Sequence, residues 1–94
     1  MTKAEFLSML AQEDFPAPVL VTREANGFLD THSHPFEVKA LVIQGQIDIT
    51  INDIKHCYVT GDLFHLLNNQ VHTESYGIQG VEYLASRKDW LICR

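Results

Sequence analysis

At 94 residues the chain has room for one domain with a single core. It is 46% hydrophobic and 20% charged with a net charge of −5, and no apolar run approaches the roughly 20 residues that a membrane-spanning helix needs. The Lys and Arg residues are scattered, with only Arg87 and Lys88 adjacent. A cationic patch able to displace counterions from phosphates is therefore missing, and neither nucleic acid nor membrane is an expected partner.

The first stretch, "TKAEFLSMLAQEDFP", predicts a helix within residues 1–15. Thr2 and Glu5 have the spacing of a capping box, while Phe6, Leu7 and Leu10, with Met9 at the edge, form an apolar stripe at helical spacing. Pro16 and Pro18 end it. The stripe is read as core packing. The opening residues lack a basic leader, a long apolar segment and a small-residue cleavage site, so no signal peptide is expected. Cys57 and Cys93 stand far apart without a CxxC pattern and are read as free thiols, which fits a reducing, cytoplasmic setting.

From Val19 the period changes to that of strands. "VLVTR" is followed by the turn Ala25–Asn26–Gly27, then by "FLDTHSH", "FEVKALVIQ" and Gly45. In "QIDITIN", Ile47, Ile49 and Ile51 alternate with Asp48, Thr50 and Asn52, the pattern of a half-buried strand. Asn52–Asp53, Gly61–Asp62 and Asn68–Asn69–Gln70 mark turns into "IKHCYVT", "LFHLL" and "VHTESY". Gly77 and Gly80 mark a further break before "VEYLASR". Closely spaced short strands without intervening helices predict an all-β sandwich or barrel over residues 16–94. The tail "DWLICR" groups Trp90, Leu91 and Ile92, which are expected to pack on the barrel or across a contact between two copies.

Five histidines carry the chemical interest. On a strand, His32 and His34 project from one face about 6–7 Å apart, a spacing at which two imidazoles can meet one ion at about 2.0–2.1 Å. A third ligand has to come from another strand, and the candidates are His56, His65 and His72. His56 has no assigned face. His65 sits in an apolar strand and reads better as a packed or edge histidine, hydrogen-bonded locally, than as a ligand. His72 shares a face with Glu74, which is either a fourth ligand, a general base or a surface carboxylate.

"HSHPFEVKALVIQG" followed by "GDLFHLLNNQVH" resembles the two motifs of the cupin superfamily, and the resemblance spans roughly residues 19–87. Two histidines one apart and a glycine are present as His32, His34 and Gly45; the second motif's glycine and histidine are Gly61 and His72. There are two departures. Glu37 stands where the motif's glutamate is sought, but parity turns it away and puts Val38 on the face of His32 and His34, so Glu37 is either no ligand, the favoured reading, or is re-aimed by a bulge near Pro35. The second motif's proline–x–glycine turn is replaced by Leu67–Asn68–Asn69, in which asparagine tolerates the left-handed backbone a turn needs.

The resemblance implies a double-stranded β-helix (jelly-roll) barrel behind a short helix. It implies a divalent transition metal (Zn, Fe, Ni or Cu) on His32, His34 and His72, with Glu74 as a further ligand or base, and a small-molecule ligand in the barrel. It also implies homodimers, for which Val19–Arg23 is a candidate edge strand. Fold does not name a reaction. The expected function is a small metal-binding cupin, dioxygenase- or isomerase-like, acting on a small polar or anionic metabolite. The alternatives are a non-catalytic binding or sensor module and a metal-free structural dimer.

Overall fold

The computed structural model describes residues 1–89. Trp90, Leu91, Ile92 and Cys93, on which the expectation for the tail rests, lie outside the described residues. The elements are α1 (Lys3–Gln12), β1 (Val19–Arg23), β2 (Phe28–His32), β3 (Glu37–Ile51), β4 (Ile54–Val59), β5 (Leu63–Leu66) and β6 (His72–Lys88). No helix among the described residues is long and apolar enough to cross a membrane.

The capping box forms. The Thr2 side chain accepts from the Glu5 N–H at 3.1 Å, and Glu5 Oε1 accepts from the Thr2 N–H at 2.8 Å. The helix is shorter than the expected 1–15: it stops at Gln12, and Asp14 at φ 60° turns the chain so that Phe15 folds back. Phe6, Leu10 and Phe15 then pack on Leu41, with Leu63 and Leu84 around them. The predicted stripe was too wide, because Leu7 remains 41% exposed while Phe6 is fully buried.

Two long strands form the spine of the barrel. β3 and β6 pair antiparallel almost from end to end, with register shifts between Val42 and Gln44 and between Gly45 and Ile47. The sequence suggested breaks at Gly45, Gly77 and Gly80, but the strands run on through all three and bend at Gly45 and Gly80. Both glycines have positive φ, 83° and 73°. A Cβ on Gly45 would lie 2.2 Å from the Gly80 carbonyl oxygen, and one on Gly80 would lie 2.4 Å from the Arg23 carbonyl oxygen. Only glycine permits this backbone approach.

The bend divides the sheet into two layers. In one, β1 pairs with Val81–Ala85 of β6, and β5 pairs with Val38–Leu41 of β3. In the other, β2 pairs with the His72 end of β6, and β4 pairs with Gln46–Ile51 of β3. Every pairing is antiparallel. β1 pairs only with β6 and is an edge among the described residues, as expected. The core lies between the layers and includes Val38, Ala40, Val42, Ile47, Ile49, Phe64, Leu66 and Tyr83. The alternation read in "QIDITI" is borne out for Ile47 and Ile49, which are buried. This is the jelly-roll barrel that the motifs implied.

Candidate metal centre

Two strand ends and one loop build the site. His32 is the last residue of β2 and His72 the first of β6, and the two are register partners. His34 lies just beyond β2, so strand alternation is not what aims it. Its carbonyl oxygen instead accepts from the Asn69 N–H at 2.7 Å. Asn69, with φ 61°, is the left-handed residue expected in the turn that replaces proline–x–glycine. The His34 ring stacks on Phe36, with centroids 5.0 Å apart and an interplanar angle of 13°. Glu74 follows His72 by two and faces the same way.

His32, His34, His72 and Glu74 converge. Each offers one ligand atom, and those atoms all lie within 4.8 Å of one another. The imidazole centroids are 4.2 Å apart for His32 and His72, 4.9 Å for His32 and His34, and 5.5 Å for His34 and His72. His72 and Glu74 are buried, and the other two are half-buried.

Proton placement is the informative feature. His32 Nδ1 is 2.7 Å from the Asp30 carbonyl oxygen, and His72 Nδ1 is 2.9 Å from that of Gln70. A carbonyl oxygen only accepts, so both Nδ1 atoms carry hydrogen. In the neutral ring this leaves Nε2 as a bare lone pair. Both Nε2 atoms face one carboxylate oxygen, Glu74 Oε2, at 3.2 Å from His32 and 3.0 Å from His72. The His72 contact has hydrogen-bond geometry, whereas the buried His32 Nε2 has no hydrogen-bond partner. The other carboxylate oxygen, Oε1, accepts from the Tyr76 hydroxyl at 3.0 Å.

The ionisation tendencies follow from this crowding. Burial pushes the Glu74 carboxyl up, but hydrogen bonds from His72 and Tyr76 outweigh it and hold the group below the usual carboxylate range. Burial lowers His72, yet its bonds to Glu74 and to the Gln70 carbonyl leave it above its ordinary value. His34 has no such support: burial, then the neighbouring His32 and His72, push it down. The cluster thus sets one stabilised carboxylate, Glu74, between His72, whose affinity for a proton is raised, and His34, whose affinity is lowered.

The other candidates lie elsewhere. His56 is exposed on β4. His65 is exposed and pairs with Glu37 of the neighbouring strand β3, so both lie outside the cluster, although the bond spans 28 positions and is not the local one expected of His65. Val38 is buried and lines the cavity beside His34. Cys57 is exposed, and a hydrogen bond with Asp48 followed by burial pushes its thiol up, away from nucleophilic chemistry. Sequence reasoning missed Tyr76, although alternation from His72 through Glu74 points to it.

These features define a small cupin-type barrel with a three-histidine, one-glutamate cluster. No protein-family model matches the sequence, and no curated protein matches it either. Solved structures do match. An RmlC-like cupin from Shewanella frigidimarina superposes with TM-score 0.66 at 14% identity, over 77% of this chain and 64% of its own. KdgF from Halomonas sp. gives 0.63 at 16%, over 76% and 66%. A DUF861 family protein from Thermotoga maritima gives 0.66 at 16%, over 89% and 90%. The chain spans less than two thirds of the Shewanella and Halomonas proteins. The fold is that of the cupin superfamily.

Proposed function

We propose that this protein is a small metal-binding cupin in which His32, His34, His72 and Glu74 hold one divalent transition ion, and that it acts as a metal-dependent enzyme on a small polar or anionic metabolite in the barrel. The observation that carries this reading is the pair of Nδ1–carbonyl bonds, which aim two Nε2 lone pairs at a carboxylate oxygen. Lone pairs crowded in this way repel unless a cation lies among them. Metal-ligating histidines characteristically donate their second nitrogen to a carbonyl in this manner. Imidazole and carboxylate donors suit Zn, Fe, Ni or Cu. A bound ion would supply Lewis acidity and open coordination positions. The chain's part is to fix the imidazole orientations through Asp30 and Gln70, to hold Glu74 through Tyr76, and to enclose the site between the layers.

A second reading has its own support. Protons on His32 and His72 would also neutralise the crowding: a protonated His72 would donate from Nε2 to Glu74, which already accepts from Tyr76. The cluster would then be a polar network in a metal-free or purely ligand-binding barrel. Metal analysis of protein purified without a nickel column separates the two. We expect close to one ion per chain, with loss of most of it in His32→Ala and in His72→Ala. Unchanged metal content in both variants sinks the metal reading.

We also propose a homodimer. Val19 and Leu20, on the edge strand β1, are 58% and 57% exposed, and an open apolar edge invites pairing with a second copy. Sedimentation equilibrium at micromolar concentration tests this, and a monomer there argues against it.

A further inference from the structure

The wall of the cavity carries a second chemical feature. A cavity of about 70 Å³ lies between the two layers, and among its lining residues are His34, Glu74, Phe36, Tyr83, Arg23 and Arg87. Arg23 is the last residue of β1 and Arg87 stands near the end of β6, so two separate strands each contribute an arginine to the lining. This is notable in a chain whose net charge is −5. Three of the four lysines are engaged elsewhere: Lys39 pairs with Glu13, Lys55 with Asp48, and Lys88 donates to the Glu13 carbonyl. Among the described residues, neither Arg23 nor Arg87 is in an ion pair.

Arg87 is held in place without an acid. Its Cζ lies 4.9 Å from the Phe36 ring centroid, and the same ring stacks on His34 at 5.0 Å. The guanidinium therefore sits within about 10 Å of the His34 ring, with an aromatic spacer between them. Cation–π contact orients a guanidinium and leaves its N–H donors available to another acceptor.

We propose that this cavity selects a short dicarboxylate of three or four carbons, with one carboxylate on the metal beside His34 and Glu74 and the other held by Arg87 and Arg23. The inference rests on the metal reading above. Charge supports it: a divalent ion and two guanidiniums exceed Glu74 by three positive charges, which suits a dianion. Length supports it too. The Arg87 guanidinium carbon is at most about 10 Å from the centre of the His34 ring, so only a few carbons can separate a carboxylate beside His34 from one on Arg87. The volume excludes larger occupants, because drug-sized ligands need roughly 300–1,000 Å³.

Calorimetric titration of the metal-loaded protein with malonate and succinate is the test, with malonamate as a probe of the same size and one charge fewer. Metal content is measured on the same samples. We expect malonate or succinate to bind at least about tenfold more tightly than malonamate. Arg87→Gln and Arg23→Gln should each lose about tenfold while retaining full metal content. Both arginines are exposed, so these variants keep the core intact. Equal affinity for malonamate, unchanged affinity in both variants, or no binding of either diacid to fully loaded protein overturns the inference and leaves the metal reading standing. A wild-type protein that takes up no metal overturns both.

Discussion

At the scale of single residues, the site is set by what surrounds the imidazoles. His32 and His72 are each oriented by a carbonyl two residues earlier in the chain, Asp30 and Gln70. That arrangement fixes the tautomer before any ligand arrives. Tyr76 does the same for Glu74, holding Oε1 so that Oε2 faces the two rings. Tyr76→Phe should therefore weaken metal binding without removing a ligand. The expected loss is about tenfold, the low end of the roughly 10–100-fold range for groups that orient metal ligands. Competition against a chromogenic chelator measures it, and an affinity equal to wild type would show that Glu74 needs no such support. The membership of the cluster was legible in the sequence, because one-residue spacing and face-sharing are short-range properties. His72 and Glu74 needed only alternation. The two carbonyls and the His34 anchor on Asn69 were not legible, since backbone groups leave no mark on residue identity.

At the scale of elements, the sequence located the helix and several turns but misread three glycines, Gly45, Gly77 and Gly80, as breaks. Gly45 and Gly80 look like strand breaks because glycine commonly marks turns. They meet each other across 35 positions, where the close approach of the two backbones lets β3 and β6 bend while staying paired. Such a contact is tertiary, and no local window contains it. The helix was easier because its signal is local. The Thr2 N–H bond to Glu5, followed by the Thr2 side-chain bond, holds the Glu5 carboxyl below its usual range. A carboxyl depressed in the folded state contributes stability that is present above its unfolded value and lost as pH falls through the folded one. Acidification below about pH 4.5 should therefore loosen the first turn of α1. Amide hydrogen exchange over Lys3–Gln12 reads this directly. Protection should fall across that window in wild type and change less in Glu5→Gln, which keeps a side-chain carbonyl to accept the Thr2 N–H but has no titrating group. Identical pH profiles in the two proteins would remove the cap from the explanation.

At the scale of the whole molecule, the two layers meet along one spine, β3 and β6, and the candidate centre lies where β2 and the loop after it close onto β6. The general architecture was legible from strand spacing and from the two motifs. The basic character of the cavity was not, because Arg23 and Arg87 are 64 positions apart and only the closed barrel brings them to one space. An ion shared by β2, its loop and β6 joins segments separated by some 40 residues, so it binds the folded chain far better than the unfolded one. At one hundred times its dissociation constant such an ion adds about 2.7 kcal/mol. For a domain of 60–100 residues each 1 kcal/mol shifts Tm by roughly 4–8 °C, so loading should raise Tm by on the order of 10–20 °C. Differential scanning calorimetry with and without a chelator checks this. His72→Gln, which keeps a polar side chain of similar reach, should melt at the same temperature in both conditions. A wild-type Tm indifferent to chelation would favour the protonated network over the metal, since protons on His32 and His72 can relieve the same crowding around Glu74 without any ion.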